Sequence, residues 1–179
     1  DRDPARHAEL ERCCTRVLEQ TRHALAAYTA EGRAYRVDLR LRPHGTAGKL
    51  VPSLQSAVEY YRSGARLWEL QALLKARPVA GAATVGVAFI ESVKPVIRGP
   101  RDASAIVEEV RAMRARAVGA LKEGTVDVKT GPGGIRDIEF VVQAMQLIWL
   151  RRHPALFTGN TVRALRLLSQ AGILAPEQA

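Results

Sequence analysis

The sequence predicts a mainly α fold with a small β part, and three observations carry that expectation. Several segments repeat their apolar residues at spacings of three and four, one segment alternates with period two, and Gly or Pro punctuates the joins. The first helix is expected over about residues 5–29. Its apolar stripe is Leu10, Cys14, Val17, Leu18 and Leu25, with Thr21 as the one polar member. Glu31-Gly32-Arg33 reads as the turn that follows.

Residues 35–42 alternate without a fault. Tyr35, Val37, Leu39 and Leu41 fall on one side, and Arg36, Asp38, Arg40 and Arg42 on the other. Strict period two argues a strand with one buried face. Pro43 cannot donate to a ladder and should end it. The polar face sets one carboxylate among three guanidiniums. Two readings fit. An Asp can hold a divalent cation while Arg pairs bidentately with phosphate, which describes a metal–nucleotide site. Alternatively this is an edge strand whose charges discourage pairing with other chains.

Residues 44–49 form a loop with two glycines, and Ser53 is placed to cap a helix running to about Arg62. Gly64 interrupts, and a second helix covers about residues 65–76 until Pro78 and Gly81 stop it. Residues 83–94 fit a helix or a buried strand, closed by Pro95; their length favours helix. Asp102 or Ser104 can cap the next helix. Ile106, Val110, Met113, Ala117 and Leu121 line one of its faces; Arg111, Arg114 and Lys122 give the other the look of a solvated surface. A long helix begins at Ile135, with Ile138, Val141, Val142, Met145, Ile148 and Trp149 as its apolar stripe and Arg136, Glu139, Gln143 and Gln146 as its polar one. A last helix spans about residues 158–170 and ends near Gly172. A lone strand is unstable, so partners for residues 35–41 must lie outside the chain or in a weak candidate at residues 126–129. An uncovered edge there would invite aggregation.

Composition narrows the class. With 179 residues the chain can build one good-sized domain, or one domain plus a fragment. No run of about 18 uninterrupted apolar residues exists, which excludes a transmembrane helix. The charged start at Asp1, without an initiator Met or an apolar signal core, reads as a piece of a longer protein. Cys13 and Cys14 are adjacent on a helix and point about 100° apart, so neither a disulfide nor a metal spacing is expected; both facts suit a reducing cytoplasm. A net charge of +9 and a pI near 10.2 call for anionic partners: nucleotide, nucleic acid or an acidic protein surface.

A second constellation is Lys129-Thr130-Gly131-Pro132-Gly133-Gly134-Ile135-Arg136-Asp137-Ile138-Glu139-Phe140, a glycine loop leading into a helix. Glycines admit a close approach by a ligand, and free N–H groups with the helix dipole favour an anion. Lys129 and Arg136 add positive charge. The plainer reading is a tight turn, with Asp137 and Glu139 satisfying the helix start themselves. The loop lacks the Lys-Ser/Thr ending of a P-loop and is no dinucleotide fingerprint. A third group is residues 68–77. There Trp68, Ala72 and Lys75 share a helical face, Trp68 reads as core, and Lys75 and Arg77 are phosphate ligands or ordinary C-terminal cations.

Together these stretches resemble the glutamine synthetase adenylyltransferase family, also called glutamate–ammonia-ligase adenylyltransferase. The resemblance rests on Tyr35-Arg36-Val37-Asp38-Leu39-Arg40-Leu41-Arg42-Pro43-His44-Gly45, on Tyr60-Tyr61 with Trp68-Glu69 and Lys75-Ala76-Arg77, and on Gly133-Gly134-Ile135-Arg136-Asp137-Ile138-Glu139-Phe140 with Gln143. It covers about residues 9–174. A shorter form of the glycine motif also occurs in the related uridylyltransferases.

The resemblance implies the C-terminal portion of a polymerase-β-like nucleotidyltransferase fold over residues 1–52, followed by a helical bundle over residues 53–179. It implies an enzyme of nitrogen metabolism with two homologous halves. One attaches AMP from ATP to a tyrosine of glutamine synthetase; the other removes it by phosphorolysis and yields ADP. The motif wording is closer to the removing half. In this light Asp38 is the third of three carboxylates that hold magnesium. Arg36, Arg40, Arg42, Lys75, Arg77, Lys129, Gly133, Gly134 and Arg136 face nucleotide or phosphate, and Glu69, Asp137 and Glu139 support them. Glutamine synthetase is the implied protein substrate, and a nitrogen-signalling regulatory protein a further partner.

One departure matters. The family's Gly-Ser with an Asp-x-Asp strand should precede Asp38, and it is absent; Asp1-Arg2-Asp3 has the letters, but Pro4 and the lack of an apolar strand rule it out. The isolated chain is therefore expected to be inactive. Two other classes compete: a helical docking module without chemistry, and a basic nucleic-acid binder. Against the latter, no aromatic beyond Tyr35 interleaves with the Arg-rich segment, so no nucleic acid is expected.

Overall fold

The computed structural model describes residues 3–119 and 127–175. It is mainly helical with a small β part. The elements in order are α1 (Pro4–Ala26), β1 (Tyr28–Thr29), β2 (Gly32–Arg33), α2 (Leu54–Gly64), α3 (Leu67–Leu74), α4 (Ala83–Ile97), α5 (Ala103–Gly119), α6 (Ile135–Trp149) and α7 (Thr161–Gln170), with 3-10 turns at Gly45–Ala47 and Pro154–Leu156. The chain packs as two units, Asp1–Ser63 and Gly64–Ala179. This packing break and the boundary expected after residue 52 differ by α2, which groups with the first unit.

In the first unit, Pro4 occupies the opening turn of α1, where its missing N–H costs nothing, and Asp3 Oδ1 accepts the Ala5 N–H at 2.9 Å. No α1 residue is buried, and Leu10 and Val17 are 53% and 57% exposed. The apolar stripe exists but lies open. A short antiparallel pair follows, Tyr28 opposite Arg33 and Thr29 opposite Gly32. Thr29 Oγ1 closes its turn by donating to Gly32 O at 3.0 Å and accepting the Glu31 N–H at 3.2 Å.

The strand expected at residues 35–41 is not formed. A ladder needs a neighbour, and the Tyr35 N–H donates instead to Leu25 O near the end of α1, at 3.0 Å. Val37 and Leu39 are half-buried, whereas Tyr35 and Leu41 are 65% and 67% exposed. The other candidate, residues 126–129, gives no strand either: Val126 lies outside the described residues, and residues 128–130 are a turn. Ser53 caps α2 as expected, its Oγ accepting the Ser56 N–H at 3.1 Å.

In the second unit α6 is central, with α3, α5 and α7 packed against it and α4 against α3. Leu74, Val93, Ile97, Val142, Leu150, Leu156 and Leu168 are fully buried. The 83–94 segment is a helix and runs past Pro95 to Ile97, so Pro95 does not close it. A proline in the last turn removes one helical hydrogen bond. Beyond it, Arg101 takes up carbonyls at the helix end, donating to Ile97 O at 2.7 Å, to Gly99 O at 3.0 Å and to Val96 O. Asp102 caps α5 through the Ser104 N–H at 3.1 Å. Ile106 and Val110 are buried along its stripe; Leu121 and Lys122 lie outside the described residues.

The face of α6 turned inward differs from expectation. Gln143 and Gln146, assigned to its polar stripe, are buried, while Ile138 and Val141 are 51% and 53% exposed. Tertiary partners explain the rotation. Gln146 Nε2 donates to Leu156 O at 2.6 Å and to Thr158 O at 2.9 Å, so the buried amide finds its acceptors in the segment around the 3-10 turn. The last helix starts later than expected, at Thr161, because Asn160 Oδ1 caps it through the Arg163 N–H at 2.9 Å. It ends at Gln170, and just beyond it Gly172 sits in the left-handed region, with the Ile173 N–H reaching back to Leu168 O at 3.0 Å.

Candidate functional site

The sequence-selected residues form two clusters, one in each unit. In the first, Asp38 and Arg40 meet. Arg40 Nε lies 2.9 and 3.0 Å from the two carboxylate oxygens, its Nη2 lies 2.6 Å from Oδ2, and its own backbone N–H donates to Oδ1 at 3.0 Å. That fork holds the carboxyl down at about 2, chiefly through the Arg40 side chain, then its backbone, with the Arg36 charge adding to the effect. Asp38 is therefore a permanent anion paired with Arg40, open to solvent. Among the described residues no group of three or more His, Cys, Asp or Glu side chains is placed to hold a metal ion. Asp38 can donate oxygens to a divalent cation, but the described residues do not complete such a site.

Arg42 turns away from this face. Its guanidinium donates to Leu39 O, to Thr46 O at 3.3 Å and to Gly48 O at 3.3 Å, and so organises the loop behind Pro43. This arrangement makes Arg42 a loop scaffold. The same loop holds His44 in the left-handed region at φ +62°, with its ring edge-on to Tyr60 at 4.5 Å between centroids.

The second cluster surrounds the glycine loop before α6. Asp127 opens it: Oδ1 accepts the N–H groups of Lys129 at 2.8 Å and Thr130 at 3.0 Å, and Oδ2 accepts the Thr130 hydroxyl. Asp137 closes it by accepting the Gly133 N–H at 2.8 Å. Gly133 sits at φ +74°, where a side chain is strained, and a Cβ on Gly134 would lie 2.6 Å from Val128 O. The amides of Gly131, Gly134, Ile135, Arg136 and Asp137 all donate to carbonyls within residues 127–134. The plainer sequence reading thus describes the backbone: these donors are satisfied internally. An anion here would be met by the side chains of Lys129 and Arg136. Hydrogen bonds hold both loop carboxyls below the usual range, from the Thr130 side chain foremost for Asp127 and from Arg114 foremost for Asp137, with Arg136 adding its charge to each.

Two ion pairs tie the start of α6 to its neighbours. Lys75, at the C-terminal end of α3, pairs with Glu139. Arg114 of α5 pairs with Asp137 at 2.8 Å. Glu69 is buried and caps α3 by accepting the Arg66 N–H at 2.9 Å. Trp68 is half-buried and Arg77 exposed. Sequence reasoning missed Asp127 and Arg114. The spacing Asp127–Thr130 carried a readable signal, since Asp three residues before Thr favours such a turn. Arg114 carried none, because its partner lies on another helix.

Residues 1–92 match the family model for glutamate-ammonia ligase adenylyltransferase, and residues 104–179 match that for GlnD PII-uridylyltransferase. A bifunctional glutamine synthetase adenylyltransferase/adenylyl-removing enzyme of Streptomyces coelicolor is 39% identical over 170 residues, 94% of this chain and 17% of its own length. Enzymes of the same description from Xanthomonas oryzae pv. oryzae and Mycolicibacterium smegmatis are 42% identical over 95% of the chain and 43% identical over 81%. The chain spans 15% to 18% of the length of these relatives.

Proposed function

The chain belongs to the glutamate–ammonia ligase adenylyltransferase family, and from that premise we propose that it works within an enzyme transferring AMP to or from a tyrosine of glutamine synthetase, in the half that removes it. The observation that carries the nucleotidyl-transfer reading is the Asp38–Arg40 pair, a permanent carboxylate beside a guanidinium on a solvent-open segment; the choice of the removing half rests on the wording of the motifs at residues 35–43 and 133–140. The transfer reading is supported by relatives of that description that align over most of the chain.

Removal by phosphorolysis joins an oxygen of inorganic phosphate to the phosphorus of the tyrosine-bound AMP. The bond from phosphorus to the tyrosine oxygen breaks, that oxygen takes up a proton, and ADP leaves. Such a transfer needs positioning and charge neutralisation above all. Lys129 and Arg136 supply cations at the glycine loop, and Arg36 and Arg40 supply them beside Asp38. Lys75 is held by Glu139 and would reach phosphate only by releasing it. Asp38 would give one oxygen ligand to magnesium, the remaining carboxylates coming from outside this chain; a divalent cation in such enzymes neutralises the developing charge. Two exposed free thiols, Cys13 and Cys14, suit a reducing cytoplasm. Among the described residues no helix is long and apolar enough to cross a membrane.

The test is Asp38→Asn in the intact enzyme, with attachment and removal of AMP assayed separately. Loss of removal alone, by about 10²-fold or more, is expected. Loss of attachment alone would keep Asp38 in the chemistry and move the chain to the adenylylating half. Full activity in both directions would sink the assignment of Asp38.

A further inference from the structure

Arg114 stands on the face of α5 that composition marks as solvent-facing, yet its guanidinium crosses to α6. Its Nη2 meets Asp137 Oδ2 at 2.8 Å, and that same oxygen accepts the Gly133 N–H at 2.8 Å. One carboxylate oxygen therefore joins a neighbouring helix to the left-handed turn of the glycine loop. Asp137 is also the residue next to Arg136, and its negative charge opposes any anion that Arg136 attracts. Around the loop stand three cations, Arg114, Lys129 and Arg136, against two carboxylates, Asp127 and Asp137. Deleting Arg114 brings that balance to zero, and the local field no longer favours an incoming phosphate.

We propose that Arg114 is a positioning residue for phosphate binding: it fixes Asp137, and with it the Gly133 turn, and it cancels the carboxylate charge beside Arg136. Its side chain need not touch the ligand. The inference rests on the reading of Lys129 and Arg136 as phosphate ligands. It accounts for why a carboxylate stands at a place meant for anions: Asp137 shapes the backbone, and Arg114 makes its charge tolerable.

The experiment is steady-state kinetics in the intact enzyme, with inorganic phosphate as the varied substrate in the removal assay and ATP in the attachment assay. Arg114→Ala should raise the KM of the phosphate-bearing substrate about tenfold, with kcat changed less than about twofold. Arg114→Lys keeps the charge and should restore most of the loss. Asp137→Asn keeps an acceptor for Gly133 while removing the charge, so the double variant Arg114→Ala/Asp137→Asn should bind better than Arg114→Ala alone. A purely structural role would make that double variant worse, and this outcome overturns the proposal. Arg136→Ala separates the two levels. If it leaves KM unchanged, the loop is no phosphate site. If it raises KM while Arg114→Ala does not, the loop reading stands and the role of Arg114 falls. Thermal unfolding accompanies each variant; should Arg114→Ala fail to fold, the lysine and double variants decide, and absence of recovery in the double variant counts against the proposal.

Discussion

Asp38 shows how one side chain can be read twice. Alternation in the sequence placed Asp38 and Arg40 on the same side of the segment, and the structure joins them. Their meeting needs no sheet, because residues two apart in non-helical backbone reach each other by themselves. The consequence is measurable. Asp38 sits at about 2 where an unperturbed Asp sits at 3.8. A depressed carboxyl favours the folded state above the ordinary value, and the contribution is lost as pH falls from 3.8 through about 2. Carboxyl NMR of Asp38 should therefore show it still ionised at about pH 3, and Arg40→Ala should move its midpoint back toward the ordinary value. A midpoint already near 3.8 in the unaltered chain would mean that Arg40 does not hold it in solution. Arg42 teaches the converse. It belongs to the same alternating set, but its donors go to loop carbonyls, and no period-two argument could have distinguished it from Arg40.

At the scale of elements, helix limits follow their caps. Ser53, Asp102 and Asn160 each accept a backbone N–H within the first turn that they begin, and the first two were legible as Ser or Asp before an apolar-periodic run. The glycine loop is the element on which the candidate site depends most. Gly134→Ala would press a methyl against Val128 O, 2.6 Å from the ideal Cβ, and should cost about 1–3 kcal/mol by denaturant midpoint. Asn160→Ala should cost about 1 kcal/mol through loss of the α7 cap. Equal stabilities for the Gly134 variant and the parent chain would show that the loop relaxes around the added methyl. Pro95 is the instructive failure at this scale. As a signal it marks a helix end, yet α4 continues to Ile97, where Arg101 takes up carbonyls of the last turn.

At the scale of the molecule, the two units differ in how they bury apolar surface. The second has a continuous core in which Leu150 and Leu168 are fully enclosed, whereas α1 in the first buries none of its residues. Leu168→Ala should therefore cost about 2–5 kcal/mol, and Leu10→Ala should stay within about 0.5 kcal/mol, both by denaturant unfolding of the 179-residue chain. A large loss at Leu10 would mean that its stripe is covered in solution.

What the sequence determined by itself is what depends on neighbours along the chain. Helical class, the caps at Ser53 and Asp102, the pairing-competent order of Asp38 and Arg40, and the turn chemistry of the glycine loop all arise within a few residues, where backbone geometry limits the choices. The tertiary structure alone decided which face of α6 turns inward, that the 35–41 segment stays without a ladder, and that Arg114 and Lys75 fasten Asp137 and Glu139. Each of these depends on a partner far away in sequence. Gln146 can be buried because two carbonyls ten and twelve residues on accept from its amide, which satisfies a polar group inside the core, while Ile138 and Val141 turn toward solvent.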